Sequence, residues 1–205
     1  KMVILENGQM VLLGQSGRAY FYDNDNKTNK YDSYSLDPNI PLGNIQDLGA
    51  FLANFYILDS NQGNILKYSL SQLEKENEAI NGKNWLSESQ EELKNAKSLA
   101  IDGSIYVLKS DSSIAKYFKG KKIGDIKPIL EKPLAGKNKI FTKVDFANLY
   151  ISDSENKRLI VLNKNGEVIN QYVNDEFIKL QDFWVTKDEK EIYFLCEKKV
   201  FRLEL

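Results

Sequence analysis

Leu149–Tyr172 reads LYISDSENKRLIVLNKNGEVINQY, three apolar runs separated by two turns. Leu149–Ser152 is apolar and β-prone, and Asp153-Ser154-Glu155-Asn156 is turn chemistry, because short polar side chains bond their own backbone. Leu159–Leu162 is a second run, Lys164-Asn165-Gly166 a second turn, and Val168–Tyr172 a third strand with alternating character. Weaker copies of this pattern fill the rest of the chain.

Upstream, Met2–Glu6, Met10–Leu13 and Ala19–Asp23 are strands joined by Asn7-Gly8 and Gln15-Ser16-Gly17, with Tyr31–Leu36 as an outer strand. Ile45–Phe51, Phe55–Asp59 and Ile65–Leu70 make a second unit. Ser71 with Glu74 and Ser89 with Glu92 are helix-start signals, so Ser71–Asn95 reads as a helical insertion replacing an outer strand. Glu74, Glu76, Glu78, Glu88, Glu91 and Glu92 make that insertion acidic. Lys97–Ile101, Ile105–Leu108 and Ile114–Phe118, with Lys121–Ile126 outside them, form a third unit. Phe141–Phe146 reads as the inner strand of the fourth. Leu180–Thr186, Glu191–Cys196 and Lys199–Glu204 make the fifth.

Tyr56, Tyr106, Tyr150 and Tyr193 stand at the start of the second strand of their units, 50, 44 and 43 residues apart. A period of that length with several strands per unit is the pattern of propeller blades. One twisted sheet leaves both faces wet, and stacking blade on blade buries them. The reading is therefore all-β: one domain over residues 1–205, with about five blades near 2–36, 45–70, 97–126, 141–173 and 178–205, and a short helical insertion at 71–95. Phe55, Tyr56, Phe146, Tyr150, Phe183, Trp184 and Tyr193 are assigned to packing between blades.

The run from Leu149 to Leu159 resembles the NHL repeat at Tyr150, Asp153, Ser154, Asn156 and Arg158, departing at Glu155 and Lys157. Phe55–Tyr68 keeps Tyr56, Asp59 and Ser60 and lacks the Asn-His-Arg portion. The resemblance implies a ring typically of six blades. Only five units are visible and the last has three strands, so the expectation is that the natural protein continues upstream of Lys1 with a closing strand or a sixth blade.

Composition narrows the chemistry. The chain of 205 residues has no histidine, which removes Ser-His-Asp, Cys-His and His-ligated metal chemistry within it. Its one cysteine, Cys196, lies in an apolar run and reads as a small core residue that cannot form an intramolecular disulfide. The net charge is −1, giving no global pull on nucleic acid or an anionic surface. No apolar run is long enough to be a membrane helix, and the composition does not choose a compartment.

Asp23, Asp59, Asp102 and Asp153 each end a strand. Gathered at one mouth they could hold a divalent cation, as in gluconolactonase-like propellers; read singly they are turn formers. No catalytic, cofactor or metal residue is assigned. Asp23-Asn24-Asp25-Asn26 lacks the completion of a calcium loop, Gly14-Gln15-Ser16-Gly17-Arg18 lacks phosphate-loop spacing, and Asn26-Lys27-Thr28 is a glycosylation sequon. Between residues 116 and 143, Lys116, Lys119, Lys121, Lys122, Lys127, Lys132, Lys137, Lys139 and Lys143 face only Asp125 and Glu131. This basic stretch is the single cue for nucleic acid; scarce arginine and uninterleaved aromatics favour a solvated lysine edge. The functional expectation is a non-catalytic interaction or sensor propeller within a larger protein, meeting a protein partner through 71–95. A metal-dependent lactonase-like hydrolase and an RNA-binding propeller are the alternatives.

Overall fold

The computed structural model describes residues 1–5, 8–14, 17–22, 31–70 and 79–205. The Asp23–Asn26 loop, the sequon at 26–28, Asn7, Gln15, Ser16 and residues 71–78 lie outside the described residues. The protein is all-β, with five antiparallel sheets in a propeller-blade arrangement. It divides into two compact units, residues 1–94 with 119–121, and residues 95–118 with 122–205.

The first unit carries two blades. Blade 1 is β1 (Met2–Ile4), β2 (Met10–Leu13), β3 (Arg18–Tyr22) and β4 (Tyr31–Ser35), and blade 2 is β5 (Ile45–Phe51), β6 (Asn54–Asp59), β7 (Asn64–Ser69) and β8 (Gly82–Asn84). Val11, Leu13, Ala19 and Phe21 of blade 1 pack on Phe55, Ile57, Leu66 and Tyr68 of blade 2. The rings join across that seam, Phe21 edge-on to Phe55 and Phe55 stacked on Tyr68 at 5.0 Å.

The second unit carries three. Blade 3 is β9 (Ala96–Ile101), β10 (Ile105–Lys109), β11 (Ile114–Phe118) and β12 (Lys121–Ile126). Blade 4 is β13 (Ile140–Phe141), β14 (Asn148–Asp153), β15 (Arg158–Asn163) and β16 (Val168–Val173). Blade 5 has three strands, β17 (Leu180–Val185), β18 (Glu191–Cys196) and β19 (Lys199–Glu204). Tyr106, Leu108 and Ile114 pack on Ile140, Leu149, Ile151 and Ile160 between blades 3 and 4. Tyr150, Leu159 and Val161 pack on Phe183, Val185, Ile192 and Phe194 between blades 4 and 5. The runs of β14 and β15 are buried on both faces because each strand sits between two blades.

Two expectations are corrected. The inner strand of blade 4 stops at Phe141: Lys143–Phe146 is a turn closed by Phe146 N–H to the Lys143 carbonyl, with Asp145 at φ +73°. Phe146 is buried from that turn. The outer strand of blade 2 is present, as β8 pairs with β7 from Gly82↔Tyr68 to Asn84↔Leu66. The described part of 71–95 therefore holds a strand followed by one 3-10 turn at Glu91–Asn95. Gly82 is required there because a Cβ would meet the Tyr68 ring.

Candidate functional site

The aspartates proposed for a shared mouth fall at different ends of their blades. Asp59 and Asp153 close the second strand, whereas Asp102 follows the first strand. Asp59 is fully buried and accepts N–H bonds from Gly43, Asn44, Asn61 and Gln62. Asp153, also fully buried, accepts from Ala135 N–H at 2.9 Å, Asn156 Nδ2 at 2.9 Å and Arg158 Nε at 2.7 Å. Their oxygens are spent on the chain's own donors. Among the described residues no group of three or more metal-ligating side chains is placed to hold an ion.

The same device occurs in both blades and uses a signal that local reading misses. Pro41-Leu42-Gly43 and Pro133-Leu134-Ala135 enter blades 2 and 4, and the third residue of each donates to the blade's aspartate, 16 and 18 residues on. Gln62 and Asn156, each three residues after the aspartate, donate back to the Pro41 and Pro133 carbonyls. The repeated Pro-Leu-small tripeptide is the trace of this lock in the sequence. The prolines alone read only as punctuation.

At the other end of the second unit, polar groups converge from three blades. Lys164, in the β15–β16 turn, donates to Asp102 Oδ2 at 2.6 Å and to Thr142 Oγ1 at 2.5 Å. Tyr106 O–H donates to the same Asp102 oxygen at 3.2 Å, and Ser104 N–H donates to Oδ1. The Lys164 and Lys116 ammonium groups each lie 5.1 Å from the centre of the Tyr106 ring. From blade 5, Glu189 accepts from Ala147 N–H, Asn148 N–H and the Tyr150 hydroxyl. Burial pushes both phenols well up, and the neighbouring carboxylates of Asp102 and Glu189 add to it. Burial pulls the Lys164 ammonium down, with Asp102 opposing. Three of the four repeat tyrosines thus end on carboxylates: Tyr106 on Asp102, Tyr150 on Glu189 and Tyr193 on Glu191.

The acidic segment is built into the first unit. Trp85 N–H donates to the Ile65 carbonyl, Ser87 N–H to Gly120 and Gln90 N–H to Gly63. Gly63 and Gly120 have φ of +60° and +78°, and a Cβ on either would meet the Gln90 or Trp85 carbonyl oxygen at 2.5 Å. Leu86 and Leu93 are buried while Glu88 and Glu91 are exposed. The segment is a fixed loop carrying carboxylates, and its removal would take β8 and two core leucines with it.

Four lysines of the basic stretch are engaged by neighbouring side chains. Lys116 lies over Tyr106, Lys122 pairs with Asp125 at 2.7 Å, Lys139 with Asp182 at 2.5 Å, and Lys143 sits 3.6 Å from the centre of the Trp184 ring. Cys196 is buried and its thiol is pushed up by that burial.

Solved structures carry the same fold. BamB from Moraxella catarrhalis is similar with a TM-score of 0.56 and 13% identity, over 95% of this chain and 53% of that one. Virginiamycin B lyase from Staphylococcus aureus is similar with a TM-score of 0.59 and 10% identity, over 100% of this chain and 69% of that one. The chain spans about half the length of the first. No protein-family model matches it, and no curated protein sequence does. Among the described residues no helix is long and apolar enough to cross a membrane.

Proposed function

We propose that this chain is a non-catalytic binding propeller that meets a protein partner through the acidic loop at 85–95. The observation that carries this reading is the stitching of that loop: three backbone hydrogen bonds and two close glycine contacts hold it, while Glu88 and Glu91 face solvent. A pre-ordered loop loses little entropy on binding, so Glu88, and Glu91 in exchange for its exposed partner Lys94, can meet a basic partner surface. The ionisable groups at the other end support the non-catalytic half of the reading. Asp102, Lys164 and Glu189 spend their hydrogen bonds on neighbouring turns.

The test is crosslinking mass spectrometry on complexes formed by the wild-type chain and by an E88K/E91K variant. The expected result is crosslinks to 85–95 that disappear in the variant at unchanged melting temperature. Equal crosslinking by both removes the loop from the interface. One structural relative is named a virginiamycin B lyase. Incubation with virginiamycin B therefore gives a direct check, and loss of the intact compound would overturn the non-catalytic reading.

A further inference from the structure

Corresponding positions in the blades follow from the strand registers. Tyr56, Lys67 and Lys83 stand directly opposite one another on β6, β7 and β8, so their side chains form one row on one face of blade 2. Tyr193 and Arg202 hold the first two places of that row in blade 5. There a single carboxylate serves both. Glu191, two residues before the tyrosine, accepts the Tyr193 hydroxyl at 2.8 Å and lies 3.4 Å from the Arg202 guanidinium.

In blade 2 the residue two before the tyrosine is Asn54, a neutral side chain that donates to the Phe51 carbonyl. The row now carries two cations and no anion. The Lys67 ammonium lies 5.8 Å from the centre of the Tyr56 ring, and Lys83 faces Lys67 across the ladder. Like charges directly opposite destabilise a sheet. Burial pulls the Lys67 ammonium down, and the charge of Lys83 adds to it. Among the described residues no carboxylate pairs with either lysine, and no acceptor holds the Tyr56 hydroxyl. Lys83 is exposed and Lys67 half-buried, so the row reaches water at its Lys83 end.

We infer that blade 2 binds a phosphate group at Tyr56, Lys67 and Lys83. The bound group takes the part that Glu191 plays in blade 5, accepting the tyrosine O–H and pairing with the cation beside it. Two ammonium groups match the double negative charge of a phosphate, where a carboxylate would leave one of them unanswered. The phosphate oxygens are acceptors only, and the row offers donors only. All three residues belong to the first unit. The site uses none of the carboxylates at 85–95, so it is independent of the acidic-loop reading.

Calorimetric titration with inorganic phosphate at constant ionic strength tests the site, with acetate as the singly charged control. Phosphoserine, titrated beside it, tells a phosphate ester from free phosphate, and tighter binding by either supports the site. The expected result is saturable binding of phosphate, with acetate weaker. K67M and K83M should each weaken it about tenfold, the loss of one charge-assisted hydrogen bond. Lys83 is exposed, so K83M folds and keeps the test decisive if K67M does not. K187M, which removes an exposed lysine from the β17–β18 turn of blade 5, should bind like the wild type. No saturable binding, acetate as tight as phosphate, or an equal loss in K187M overturns the site.

Discussion

Arg158 lies against Asp153 with Nε 2.7 Å from Oδ2, and neither side chain has appreciable contact with water. The guanidinium also donates to Gln171 Oε1 at 3.0 Å and to the Lys132 carbonyl. Asp153 holds Ala135 in the same entering loop. The pair thus pins the loop that feeds blade 4, joining β14, β15, β16 and residues 132–135 through two side chains. Blade 2 reaches the same end without a cation: Asn64 replaces Arg158 opposite the aspartate, and four backbone donors surround Asp59.

Removing one partner of a buried pair leaves the other charge stranded. R158M should destabilise the protein by about 3–5 kcal/mol, with R158K recovering only part, because a lysine has no fork to reach Asp153, Gln171 and Lys132 together. Urea unfolding followed by tryptophan fluorescence measures it. A loss within about 0.5 kcal/mol, the range of ordinary surface changes, would mean the pair is not holding the loop.

The motif residues of this lock were legible in the sequence, and their partners were not. Asp153 and Asn156 stood out as turn chemistry and Arg158 as a position of the NHL-repeat resemblance, whereas Ala135 and Pro133 contribute only backbone groups, which leave no side-chain signature. The outer strand of blade 2 escaped notice for another reason. Gly82-Lys83-Asn84 has no β propensity and is a strand only because β7 offers it an edge. Phe141–Phe146 failed in the opposite direction: its aromatics are core residues, yet Lys143–Phe146 turns. Trp184 and Tyr193 were assigned to packing between blades, but they are 41% and 37% exposed where Tyr150 is buried.

Tyr68 makes the second prediction. Its hydroxyl is buried without a hydrogen-bond partner among the described residues, and burial, with the charges of Asp37 and Asp59, pushes its pKa up to about 12 from 10.0. An orphaned buried hydroxyl costs about 1–3 kcal/mol, so Y68F should stabilise the protein by about 1 kcal/mol. A folded-state pKa above the unfolded one means the associated stability is complete below pH 10 and is lost as pH rises toward 12. Wild-type stability should fall across that window, and Y68F should fall less steeply. Parallel slopes would show that Tyr68 is not a source of the alkaline loss.

Lys164 and Asp102 make the third. K164M leaves the Asp102 carboxylate with Tyr106 and Ser104 N–H as donors, and should cost about 1–3 kcal/mol. D102N/K164M should cost less than the two single changes summed, because each single variant strands the other partner. Additive costs would mean that the 2.6 Å contact contributes nothing of its own.

The last prediction separates the acidic loop from the blade that carries it. Gly63 adopts φ +60° and its missing side chain is the space filled by the Gln90 carbonyl, whose own N–H donates to the Gly63 carbonyl at 2.7 Å. An alanine there has a left-handed backbone to adopt, at a cost of about 1 kcal/mol, and a clash that only the loop can relieve, since β6 and β7 are locked by six residue pairs. The strain should therefore emerge as loop displacement rather than global unfolding. In G63A, hydrogen exchange at Gln90 and Trp85 should accelerate while the amides of Ile57 and Leu66 keep their protection. If the partner reads Glu88 and Glu91 on a pre-ordered loop, the same variant should weaken binding with both carboxylates still present, because the loop must then be ordered at the moment of contact. Faster exchange with undiminished binding would place the interface outside this loop.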